Sequence, residues 1–233
     1  MIVCELAYDR ECVILGRRNK FVVEVLVGED ASTAYLSNTG KLQELIVPGR
    51  RGYCVRREGG KTRYRLLAVE DRGFAALIDT VAQELVFKTM VDRGLIPWLA
   101  GCSVAGRNVR VGSSVLDYLL LCRGEKLFVE LKSAALRGPR DTAMYPDTPS
   151  ARGRRHIVEL MRLAEKGVRT LLVFMAAFPG AKAFTPNRSV DEKLYELVKQ
   201  AVSKGVLVKA VGIHYDPGRM SVVLENTDLP VIL

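Results

Sequence analysis

Asp117, Glu130 and Lys132 are the residues whose types and spacing first suggest chemistry. They lie in LDYLLLCRGEKLFVELKS, Leu116 to Ser133, which otherwise reads as a buried β-hairpin. Two apolar runs flank the short polar stretch Arg123-Gly124-Glu125-Lys126, which contains the glycine that a tight reversal needs. Strand side chains alternate faces, so Glu130 and Lys132 point one way and Leu131 the other. With Arg123-Gly124 as the two central turn residues, Asp117 lies across from Glu130. With a loop of residues 123–126, it faces Lys132 instead. Either register gathers the three charges at one edge of one face. Charges buried in a sheet must be paired, hydrated or metal-bound. Two close carboxylates repel, and a hard divalent cation such as Mg2+ or Mn2+ relieves that repulsion while keeping waters and room for a phosphate. A lysine beside such an ion can orient or deprotonate water, or stabilise developing charge. A plain cross-strand ion pair is the ordinary alternative.

An aspartate followed by Glu-x-Lys on the next strand is the minimal kit for metal-assisted phosphodiester hydrolysis, and it has the spacing of the PD-(D/E)XK nuclease core. Other segments fit a phosphate-bearing partner. SARGRRH begins a helix after Pro149 and the capping-competent Ser150, so Arg152, Arg154 and Arg155 surround a helix N-terminus, a ready phosphate cradle. His156 is a candidate proton donor, structural residue or DNA contact. Asp147, in a proline-rich loop, either reaches the metal or initiates a turn. Glu84 is a further acidic group on the preceding helix, or a solvent-facing helical glutamate. Arg17, Arg18, Lys20 and Phe21 combine cations with a ring able to stack on bases, although core packing is the default for Phe21. Asn38-Thr39-Gly40 reads as a turn first and a backbone contact second.

These residues require elements to hold them. Up to about Leu67 the chain is a series of short β-like runs, FVVEVLV, STAYLSNTGKLQELIVPG, YCVRR and TRYRLLAV, with Gly and Asn at the joins. That texture predicts a small five-stranded OB-like barrel. From about Asp71 helical periodicity appears. GFAALIDTVAQELVFKTMVDRG carries Leu77, Val81, Leu85 and Met90 at roughly helical spacing and stops at Gly94. SARGRRHIVELMRLAEKG and SVDEKLYELVKQAVSKG are two further helices. VRTLLVFMAAF is a strand buried on both faces, and VLVKAVGIHY another strand. The expectation is a barrel over residues 1–70 and an α/β domain with a mixed sheet over residues 71–233, in the α-β-β-β-α-β order of a nuclease-like core.

The bulk properties agree with a polyanion partner. The formal charge is +9, and basic residues cluster in GRRNK, PGRRGYCVRR, KTRYR and SARGRRH. No apolar run approaches the length of a membrane span, and the N-terminus has no signal-peptide pattern, so a soluble cytoplasmic protein is expected. Five widely spread cysteines without a Cys-x-x-Cys pair argue against a zinc site and a disulfide framework. Cys4 and Cys12 would pair only if they sat on adjacent strands.

Over essentially its whole length the chain resembles the sugar fermentation stimulation protein (SfsA) family. The resemblance is carried by RRNKF (17–21), SNTGKLQELIVPG (37–49), VELKSAAL (129–136), AMYPDTPSARGRRHIVEL (143–160) and FTPNRSVD (184–191). It implies an N-terminal OB-fold, a C-terminal PD-(D/E)XK-like domain and DNA binding, with a regulatory role in sugar metabolism as the older assignment. Carried over by position, Asp117, Glu130 and Lys132 occupy the nuclease-like motif. The family's Pro-Asp-Ala-Pro-Thr-x-Arg-Gly segment is Pro146 to Gly153 here. Val115 stands where the family has arginine, and Ser37 to Lys41 replace Pro-Asn-Thr-Gly-Arg.

The resulting expectation is a protein that binds single- or double-stranded DNA mainly through phosphates. Asp117, Glu130 and Lys132 are its catalytic residues, and Asp117, Glu130 and Asp147 its ligands for Mg2+ or Mn2+. Arg17, Arg18, Lys20, Lys41, Arg152, Arg154, Arg155 and His156 are its DNA contacts. A homodimer is compatible with the sequence. The alternatives are a non-catalytic DNA-binding regulator of sugar metabolism genes and a protein-interaction module.

Overall fold

Alternating apolar and polar residues with Gly-bearing turns govern the first third of the chain. The computed structural model describes all 233 residues, Met1–Leu233. After β1 (Ile2–Glu5) come β2 (Arg10–Asn19), β3 (Val22–Val27), β4 (Asp30–Tyr35), β5 (Arg51–Arg56) and β6 (Tyr64–Asp71). On β2, Cys12 and Ile14 turn inward while Val13 and Leu15 face out, the period of two that a half-buried strand requires. Strands β2 to β6 close on themselves through a parallel pairing of β4 with β6, Ala34 against Tyr64 and Tyr35 against Arg65. The expected five-stranded OB-type barrel is therefore present and closed, which leaves it no free sheet edge.

The rest of the chain is a mixed sheet with helices on both faces. It contains β7 (Phe74–Leu77), α1 (Thr80–Asp92), β8 (Cys102–Val111), β9 (Ser114–Cys122) and β10 (Glu125–Ser133). These are followed by β11 (Leu136–Arg137), β12 (Thr142–Tyr145), α2 (Ala151–Glu165), β13 (Arg169–Ala176) and β14 (Ala183–Pro186). The chain ends with α3 (Glu192–Ser203), β15 (Leu207–Asp216) and β16 (Ser221–Asn226). Strand β13 lies parallel between β10 and β15 and is buried from Thr170 onward, as its unbroken apolar run predicts. β11, β12 and β14 form a small separate sheet. The expected division near residue 70 falls at the β6–β7 hairpin, where β6 of the barrel pairs β7 and β7 in turn pairs β15. The N-terminal β1 pairs β16. One apolar cluster runs from Ile14, Val23 and Leu66 in the barrel to Ile157, Leu160 and Phe174 under α2.

Two expectations are corrected. The predicted helix from Gly73 is in fact a strand followed by a helix. Asp79 caps α1 by accepting from Val81 N and Ala82 N, so the helix cannot begin earlier. Its buried face is Ala82, Gln83, Val86, Phe87 and Met90, whereas Val81 and Leu85 are 48% and 44% exposed. Leu77, counted as part of the helical stripe, belongs to β7. The cysteine expectation fails at one pair. Cys102 and Cys122 form a disulfide between directly opposed positions of β8 and β9. Cys12 and Cys54 lie side by side as buried thiols in the barrel, and Cys4, on β1, pairs with neither. Twenty residues separate the bonded pair, so only strand register brings them together. No helix is long and apolar enough to cross a membrane.

Candidate metal centre and cleft

The charged hairpin adopts the two-residue reversal. Arg123 and Gly124 both have positive φ, 52° and 89°, as a type I′ turn demands. The β9–β10 ladder pairs Cys122 with Glu125 and continues to Tyr118 with Val129, which carries Asp117 to the position across from Glu130. Leu131 N–H donates to Asp117 Oδ2 at 2.6 Å, pinning the aspartate against the next strand. Glu130 is 2% exposed and Lys132 9%. Lys132 Nζ and His156 Nδ1, the latter from α2, both donate to Glu130 Oε1. Arg152 Nε points at His156 Nε2 from 3.4 Å, which agrees with a ring proton on Nδ1.

That arrangement leaves Glu130 Oε2 buried with no hydrogen-bond partner. Burial alone would push the Glu130 carboxyl up, but Lys132 and His156 reverse this and hold it below the usual carboxylate range. Burial opposes the Lys132 ammonium, yet Glu130 keeps its pKa raised. Asp117 behaves oppositely. Burial first, and the Glu130 charge second, push it up to about 7. A bare, buried carboxylate oxygen beside a second carboxylate whose ionisation is opposed by that neighbour is a donor set suited to a hard divalent cation. No group of three or more Asp, Glu, His or Cys side chains converges on a metal position, so two carboxylates would leave the remaining coordination to water and substrate oxygens.

The hairpin forms the floor of a cleft of about 710 Å³ between the barrel and the α/β domain, lined among others by Phe21, Asn38, Gln83, Glu84, Asp147 and Arg152. Ser133, directly after Lys132, joins the walls. Its Oγ accepts from Gln83 Nε2 at 2.9 Å and from Asn38 Nδ2 at 3.1 Å, linking β10 to α1 and to the barrel loop. Across the cleft, Asp147 Oδ2 accepts from Leu42 N–H at 2.8 Å. Here Gly40 is required, because a Cβ would stand 2.6 Å from both Asp147 oxygens. Gly153 is required likewise, since a Cβ there would meet the Tyr145 hydroxyl at 2.6 Å. Glu84 pairs with Arg107 at 3.1 Å, and its backbone carbonyl accepts from Tyr118 Oη.

The proposed DNA contacts separate into two groups. Arg18, Lys20, Lys41, Arg152 and Arg155 are exposed and form no ion pair with a carboxylate. The others are committed elsewhere. Arg17 donates to the carbonyls of Asn19, Lys20, Gly40 and Lys41, so it clamps two barrel loops together. Arg154 bonds both oxygens of Asp191, the cap of α3. His156 is buried behind Glu130 rather than at the surface. Asp147 joins no three-carboxylate cluster and serves the Leu42 amide. Phe21, assigned to the core by default, is 45% exposed at the cleft. Gln83 and Ser133 were not anticipated; a glutamine on an otherwise apolar helix face was the available signal.

The family description "Sugar fermentation stimulation protein RE domain" matches residues 80–219, and "SfsA N-terminal OB domain" matches residues 15–78. The sugar fermentation stimulation protein homolog of Pyrococcus furiosus is 47% identical over 205 residues, 88% of this chain and 89% of that one. The homolog of Archaeoglobus fulgidus is 45% identical over 233 residues, the full length of both. The solved structure of Pyrococcus furiosus SfsA in complex with Ca2+ is 42% identical, with a TM-score of 0.96 over 100% of both chains.

Proposed function

The chain belongs to the sugar fermentation stimulation protein family, and we propose that it is a cytoplasmic DNA-binding protein that hydrolyses phosphodiester bonds with a divalent metal. The observation that carries this reading is the buried, partnerless Oε2 of Glu130 beside Asp117, within reach of the protonated Lys132. Asp117 and Glu130 would hold the ion, Mg2+ or Mn2+. A relative of 42% identity whose solved structure contains Ca2+ supports a hard cation. When bound, the metal supplies Lewis-acid polarisation of the phosphate and a lowered pKa of attacking water. Lys132 keeps its proton and sets a positive charge where negative charge develops on the phosphate. His156 holds Glu130 Oε1 and so orients Oε2. The barrel, taken as residues 1–70, and the exposed Arg152 and Arg155 hold the DNA through its phosphates, while residues 71–233 carry the chemistry.

The test is degradation of labelled single- and double-stranded DNA in Mg2+ or Mn2+ against EDTA, with Lys132→Ala in parallel. Cleavage that needs metal and falls at least about a hundredfold in the variant supports the proposal. A second reading, a DNA-binding regulator without catalysis, is favoured by Val115, which is 37% exposed at the position where the family resemblance implies an arginine. No cleavage, with both proteins binding DNA equally and with sequence preference, would establish that reading instead.

A further inference from the structure

We infer that the cleft takes single-stranded DNA, with Phe21 as the platform on which an unpaired base stacks beside the hydrolytic centre. This rests on the reading of the cleft as a DNA site and adds the form of the substrate. A phenyl ring left 45% exposed forgoes the gain from burying its apolar surface. Here the ring is not on a loose segment. Phe21 N–H donates to Asn19 Oδ1 at 2.9 Å, and its carbonyl accepts from Leu36 N–H at 2.8 Å. Arg17 further ties the carbonyls of Asn19 and Lys20 to those of Gly40 and Lys41. The turn is therefore rigid, and it presents its aromatic ring to the cleft that holds Asp117, Glu130 and Lys132.

Charge accompanies the ring. Lys20 Nζ lies 5.8 Å from the ring centroid, and neither Lys20 nor Lys41 has a carboxylate partner. A second cavity of about 650 Å³ shares Lys20, Thr39, Gly40, Thr148 and Pro149 with the cleft and includes Lys41. An aromatic platform flanked by cations along a continuous groove is what a single strand requires, since every base offers a face and every linkage a charge. A duplex offers its base faces only to each other. The cleft volume of about 710 Å³ is in the range that holds a ligand of a few rings, roughly 300–1,000 Å³. The Asp147–Leu42 bond joins the barrel loop to the loop after β12 on one side of the cleft.

Binding would be measured by anisotropy of a fluorescein-labelled oligothymidylate and of a labelled duplex of equal length. Both titrations would use the unsubstituted protein in EDTA, so that neither metal nor hydrolysis enters. Phe21→Ala, checked for an unchanged melting temperature, is expected to weaken oligothymidylate binding by about ten- to a hundredfold and duplex binding by less than about threefold. Phe21→Trp is expected to retain affinity, and its added emission, after subtracting the Trp98 background, to be quenched by the oligothymidylate. Equal affinity for both DNA forms, or an unchanged affinity in Phe21→Ala, overturns the inference. Binding of neither DNA form by the unsubstituted protein would overturn the reading of the cleft as a DNA site and this inference with it, whereas duplex and oligothymidylate binding without Phe21 dependence refutes this inference alone.

Discussion

At the residue scale, the protonation of Asp117 is the quantity on which the cleft turns. Its carboxyl, raised to about 7 in the folded chain, ionises near 3.9 when unfolded. A raised folded-state value means that the stabilising contribution is full below about pH 4 and is lost as pH rises through 7. In EDTA, stability should therefore fall between about pH 5 and 8 by more in the wild type than in Asp117→Asn, by about 3 kcal/mol, since only the two pH units from 5 to 7 lie below the raised value. Added divalent cation should remove most of that fall, because the ion takes the place of the proton. A melting temperature with the same pH dependence in both proteins would contradict the account. The sequence alone put two carboxylates and a lysine in one hairpin. It could not say which oxygen is left bare, because Lys132 and His156 reach Glu130 from two different elements.

At the element scale, the helix before the hairpin is the informative case. Its apolar residues can be arranged on either of two faces, and Val81 and Leu85 fit helical spacing as well as Val86 and Met90 do. The choice is made by the start of the helix, where Asp79 bonds two amides of the first turn and pairs with Arg65 at 2.9 Å. Val86→Ala should cost about 2 kcal/mol in urea denaturation, from lost burial and an unfilled space. Val81→Ala should change stability by less than about 0.5 kcal/mol. The reverse ranking would restore the original face. The second helix was legible because Ser150 is a capping residue within the sequence itself, and the structure shows Ser150 and Asp191 each accepting from an amide three residues on.

At the scale of the whole molecule, the barrel and the α/β domain are joined by more than a connecting segment. The β6–β7–β15 path and the β1–β16 pairing make thirteen strands one hydrogen-bonded network. Arg137 adds an ion pair at 2.6 Å to Asp71 at the end of β6. A common apolar cluster crosses the junction. Denaturation followed by fluorescence of Trp98, which sits in the α/β domain, should therefore coincide with that followed by far-ultraviolet circular dichroism, which sees both domains. Two separated transitions would mean that the barrel opens on its own.

The amino-acid sequence by itself determined what is local: the strand periodicity of the barrel, a tight reversal within residues 123–126, the cap of α2, and the unbroken apolar run of the central strand. Each depends on backbone dihedral preferences and side-chain periods over a few residues. Only the tertiary structure decided the Cys102–Cys122 disulfide, the seating of His156 behind Glu130, the exposure of Phe21 and the bond from Asp147 to the barrel. Those joins connect residues from 20 to 105 positions apart. Strand order and the burial of a shared core set such distances, and neither is written in any short stretch of the chain.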